Sequence, residues 1–127
     1  MRLLEIAKAR ALATGMPNGI EISLNSSSLT LVQVNDDGQV ESVVDPLTYQ
    51  NRTITLPITY SGVTIASMVN GDGVSGSGTI WFDYEANPHT REQNGAFIEL
   101  NDESALIELS SDETIIVYAY SGVVELQ

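Results

Sequence analysis

Residues Arg2 to Thr14 read RLLEIAKARALAT. Arginine, leucine, glutamate, alanine and lysine, all strong helix formers, fill every position but Ile6 and Thr14. Leu3, Leu4, Ala7 and Ala11 recur at three- and four-residue spacing and so share one side. Ile6 and Ala13 widen that apolar arc, while Glu5 and Lys8 lie on the polar side. Gly15 is a ready C-cap, and Pro17 cannot continue a helix. A helix is therefore predicted over Arg2–Thr14. Its few turns are marginal in water unaided, so it either packs on the rest of the chain or ends a longer helix. The alanines are small enough to let another element approach closely.

Everything after Gly15 reads as short strands and turns. Ile20, Ile22 and Leu24 alternate with Glu21 and Ser23, the pattern of a half-buried strand. Leu29–Val34 (LTLVQV) is apolar on both faces towards its end, as in a central strand. Asp36-Asp37-Gly38 signals a turn, from which Gln39–Val44 returns. Ile54, Leu56, Ile58 and Tyr60 alternate with polar residues and with Pro57, which predicts an edge or bulged strand. Val63–Val69, Thr79–Tyr84, Ala96–Leu100, Ala105–Leu109, Thr114–Tyr120 and Val123–Leu126 complete the set. Asn70–Gly78 and Glu85–Asn94 read as loops, and the last forty or so residues read as a β-meander. The expected class is α+β: an N-terminal α-helix packed against antiparallel β-sheets. A chain of 127 residues supports one domain over 1–127, with residues 1–15 the helical part and 16–127 the β-rich body.

The net charge of −12 is unevenly placed. Arg2, Lys8 and Arg10 lie in the helix; beyond it only Arg52 and Arg91 face every acid except Glu5. Such a body repels polyphosphates, so no nucleic-acid partner is expected. No cysteine is present, which removes disulfides, thiolate metal sites and cysteine nucleophiles together.

The candidate chemistry is thin. His89 is the single histidine and reads as a structural loop residue, with no second histidine or cysteine to share a metal. Gly73-Val74-Ser75-Gly76-Ser77 misses a nucleophile-elbow pattern at its last place. Asn70-Gly71-Asp72-Gly73, Asn101-Asp102-Glu103 and Asp112-Glu113 are more simply turns than calcium ligands. Trp81, Phe82, Tyr84, Phe97, Tyr118 and Tyr120 could suggest a stacking platform, but neighbours on a strand face opposite ways. No catalytic residue, cofactor or metal site is expected.

Taken in order, these stretches resemble a GspH/FimT-type minor pseudopilin. Ala7, Ala11, Gly15 and Ile20-Glu21-Ile22 are similar to that family's helix end and first strand. Gly78-Thr79-Ile80-Trp81-Phe82 with Asn87-Pro88 resembles its I-x-F strand and following loop. Thr114-Ile115-Ile116-Val117 with Tyr120-Ser121-Gly122-Val123-Val124 is similar to its last hairpin. The resemblance implies a pilin-like fold and a non-enzymatic subunit of a type II secretion pseudopilus or type IV pilus. It implies other pilin-type subunits and an exported protein as partners, and a helix that continues upstream into the inner membrane, with the body in the periplasm or on a surface filament. It makes Leu3, Leu4, Ala7 and Ala11 the helix-packing and assembly residues. The prepilin peptidase site and the apolar half-helix are not in the sequence, so the membrane is reached only through a missing N-terminal segment. The competing expectation is a β-rich binding or assembly module of a phage or cell-surface structure.

Overall fold

In a computed structural model of the chain, residues 2–44, 47, 52–71, 73, 75–76, 78–91, 97–99 and 103–127 are described. Helix α1 (Arg2–Thr14) has the bounds that its composition predicts. Its end is set by local chemistry. The Gly15 N–H donates to Ala11 O at 3.0 Å with Gly15 at φ +69, and the Thr14 hydroxyl donates to Arg10 O at 2.7 Å. A Cβ would strain that left-handed cap.

Two antiparallel sheets follow. One contains β1 (Asn18–Ser23), β2 (Ser28–Val34), β3 (Val40–Ser42), β4 (Thr53–Thr55), β6 (Gly78–Phe82), β7 (Pro88–Arg91) and β8 (Phe97–Glu99). Its order is β3-β2-β1-β6-β7-β8, with β4 also beside β2. The other contains β5 (Ile65–Val69), β9 (Ala105–Leu109), β10 (Thr114–Val117) and β11 (Val124–Leu126), in the order β11-β10-β9-β5. In the first sheet Ile20 lies opposite Leu31 on one side and Ile80 on the other. These inward residues, with Phe82, belong to one apolar cluster that also holds Met68, Ile107, Ile115 and Val117 of the second sheet. Leu3, Leu4, Ala7 and Ala11 of α1 are buried in the same cluster. Trp81 lies between Ile80 and Phe82 in sequence and so faces the other way, into a small cluster with Val32 and Val34.

Several expectations change. The alternation from Ile54 to Tyr60 predicts a continuous strand, but β4 ends at Thr55 and a one-turn helix α2 (Leu56–Thr59) follows. Pro57 sits in its first turn, where a missing N–H costs nothing. Leu56 alone turns inward, leaving Ile58 83% and Tyr60 57% exposed. The stretch predicted as a polar loop, Glu85–Asn94, contains β7; its residues 92–94 lie outside the described residues. The predicted meander is divided, since β8 pairs with β7 in the first sheet whereas β9, β10 and β11 form the second. The predicted strand Thr114–Tyr120 also stops at Val117, where Gly122 N–H bonds back to Tyr118 O at 3.1 Å. Strand Ala96–Leu100 is seen as Phe97–Glu99; residues 96 and 100 lie outside the described residues.

Candidate assembly surface and the residues that position it

The helix is tied to the strands by a polar clamp at its C-terminal end. Arg10 Nε donates to Asn18 Oδ1 at 3.1 Å, and its Nη2 donates to Gln33 Oε1 at 2.9 Å. Gln33 Nε2 in turn donates to Glu41 Oε1 at 2.8 Å, and Asn35 Nδ2 to Glu41 Oε2 at 3.3 Å. Asn18 is fully buried and spends its amide N–H on Met16 O at 3.1 Å. One helical cation thus reaches β1 and β2 directly and β3 through Gln33. From sequence alone Arg10 is only one of the helix's three cations. The available signal was Asn18, a polar residue at the same strand parity as Ile20 and Ile22. Arg10→Met keeps much of the apolar stem but leaves Asn18 Oδ1 and Gln33 Oε1 without that donor. Urea unfolding should show a loss of about 1–3 kcal/mol. A loss within about 0.5 kcal/mol, the usual range for plain surface changes, would show that the clamp adds nothing.

The opposite side of α1 is open. Arg2, Glu5, Ala9, Leu12 and Ala13 are exposed, with Leu12 58% accessible. Beside that open side, Lys8 Nζ lies 3.9 Å from Glu5 Oε2, an i,i+3 pair in which the lysine is largely covered and the glutamate exposed; at that length it contributes little.

His89 is not in a loop. It lies in β7 opposite Trp81 and is buried, with Nε2 2.7 Å from Asp83 Oδ2. The other carboxylate oxygen of Asp83 accepts the backbone N–H groups of Glu85 and Asn87, each at 2.9 Å. The pair therefore fastens the 83–87 turn onto the start of β7, a structural task. The described aromatic residues do not share one face. Trp81 and Phe82 are buried on opposite faces of β6, whereas Tyr84 and Tyr120 are 62% and 53% exposed; the Phe97 side chain lies outside the described residues.

The acid-rich stretches behave as turns where they are described. Asn70 O accepts Gly73 N–H at 2.9 Å, and Asp112 N–H donates to Leu109 O at 3.2 Å. Asp72, Asn101 and Asp102 lie outside the described residues. Among the described residues no group of three or more histidine, cysteine, aspartate or glutamate side chains is placed to hold a metal ion. On the outer face of the second sheet, the Glu125 carboxyl is held below its ordinary value, first by the Gln127 amide and then by the Tyr118 hydroxyl. The same contact with Glu125 raises the Tyr118 hydroxyl.

Among the described residues no helix is long and apolar enough to cross a membrane. No protein-family model and no curated protein matches the chain. Among solved structures it is similar to the minor pseudopilin EpsH from the type 2 secretion system of Vibrio cholerae. Identity is 15% and the TM-score 0.59, over 98% of this chain and 88% of that one. A second structure of that protein aligns at 15% identity and TM-score 0.46, over 76% of this chain and 84% of that one. The likeness is one of architecture: an N-terminal helix followed by antiparallel sheets, the fold of a minor pseudopilin.

Proposed function

We propose that this chain is a non-enzymatic, pseudopilin-like subunit that acts by assembling with other pilin-type subunits. The carrying observation is the match in fold along almost the whole chain, helix included. In this reading α1 is the C-terminal, body-proximal end of a longer rod anchored in the inner membrane, of the GspH/FimT kind, serving a secretion pseudopilus or a pilus. Leu3, Leu4, Ala7 and Ala11 hold the rod to its own body, and the exposed Ala9, Leu12 and Ala13 meet neighbouring helices. Small residues on that side allow close approach. Assembly of this type is head-to-tail, so different patches meet on each side. The body, with nearly all of the acids, faces the periplasm, where polar contacts with partners or an exported protein would set orientation and choice.

No cysteine in these 127 residues competes with an introduced one, which makes a direct test simple. Single variants Leu12→Cys and Ala7→Cys are placed in the full-length subunit in secreting or piliated cells. Leu12→Cys should cross-link to a pilin-type subunit through a short thiol–amine linker, and the buried Ala7→Cys should not. Failure of Ala9→Cys, Leu12→Cys and Ala13→Cys alike to capture any pilin-type subunit would sink the reading.

A further inference from the structure

Among the described residues, strand β11 ends the second sheet and pairs with β10 on one side only. Thr114 and Gln127 exchange both backbone bonds, at 2.7 and 2.9 Å, and Tyr118 N–H donates to Val123 O at 2.9 Å. In an antiparallel pair the bonding direction alternates. Residues 123, 125 and 127 therefore face β10, and the N–H and C=O groups of Val124 and Leu126 point to the open side. Against this edge lies an apolar groove of about 330 Å³. Its walls include Leu56, Tyr60, Val63, Leu109 and Leu126, with Arg2 and Glu113 as charged members. Leu126 takes part in both features: its backbone forms the edge and its side chain lines the groove.

The two features together make a strand-addition site, in which backbone bonds give affinity and a cleft takes alternate side chains. Charge decides the occupant. A second copy paired about a two-fold axis would bring Glu125 against Glu125 in a protein of net charge −12, which is unfavourable. A strand with cations on its solvent side would meet Glu125 instead, while its other side would place apolar residues in the groove. We infer that the open edge of β11 and the adjoining groove bind an extended, cationic partner segment in which apolar and basic residues alternate. This goes beyond the assembly role of α1 and does not depend on it.

The probe is a seven-residue peptide of alternating lysine and valine, titrated into isotopically labelled protein, with an alternating glutamate–valine peptide as control. Saturable amide shifts are expected at Val124–Gln127 and Leu56–Val63 with the basic peptide only. Leu126→Pro removes an outward N–H and leaves the bonds to β10 intact, so it should weaken binding about tenfold or more at an unchanged thermal midpoint. Glu125→Lys should weaken it comparably through charge. Glu125→Lys alone decides the matter should Leu126→Pro not fold. Shifts that map elsewhere, equal binding of the acidic peptide, or indifference to the folded variants would overturn the proposal. So would a dimer in sedimentation that Leu126→Pro dissolves, because the edge would then be used by a second copy.

Discussion

Leu4→Ala is expected to lower the unfolding free energy by about 3 kcal/mol. Leu4 is fully buried and belongs to the apolar cluster that also contains residues of both sheets. Truncation loses the transfer energy of the missing methyl and methylene groups, and it leaves a cavity that a helix held at Arg10 cannot easily move to fill. Leu12→Ala is the matched control, since Leu12 is 58% exposed on the same helix. It keeps the helix propensity nearly constant and should change stability by no more than about 0.5 kcal/mol. Urea unfolding of the two variants separates them. Equal, small losses would mean that the helix adds little to the stability of the body, and the reading of α1 as a rod fixed to its own sheets would fall with that result.

The second large effect is expected at Gly19→Ala, with a loss of about 2–3 kcal/mol. A Cβ there would stand 2.6 Å from Ile80 O and 3.0 Å from Trp81 Cε3. The first neighbour is backbone and cannot swing aside. β1 is hydrogen-bonded to β2 and β6 on its two sides, so moving it strains two ladders at once. Trp81 is the single tryptophan and is only 4% exposed, so its fluorescence reports the same substitution. Denaturant melts followed by Trp81 emission should shift to lower midpoint, with a native-state spectrum altered by displacement of the indole. An unchanged midpoint and spectrum would mean that β1 and β6 can part without cost.

The candidate surface was only partly legible in advance. The four inward helix residues could be picked out by spacing, because a helix repeats every 3.6 residues and needs no partner to define its sides. Which side is left over for neighbours depends on where the sheets lie. Spacing alone puts packing and assembly on the same four residues; the structure buries those four and leaves Ala9, Leu12 and Ala13 among the exposed positions. The Arg10 clamp was hidden for a similar reason: its acceptors are 8 and 23 residues away, and only the chain's path brings them together.

The local elements follow from short-range rules. The bounds of α1 come from propensity, a left-handed glycine cap and a proline that cannot continue the helix. The parity of β1 follows from alternation, so Ile20 and Ile22 had to share a face. What those rules lack is any statement about which strand lies beside which. The 54–60 segment shows the limit: an alternating pattern fits a strand, yet Pro57 and the inward demand on Leu56 alone are met by one helical turn. His89 shows it again, placed in a strand by pairing with Trp81 and by Asp83, neither of which a polar stretch announces. Local geometry is encoded residue by residue; sheet membership, the open edge of β11 and the groove beside it arise only when distant segments compete for the same apolar core.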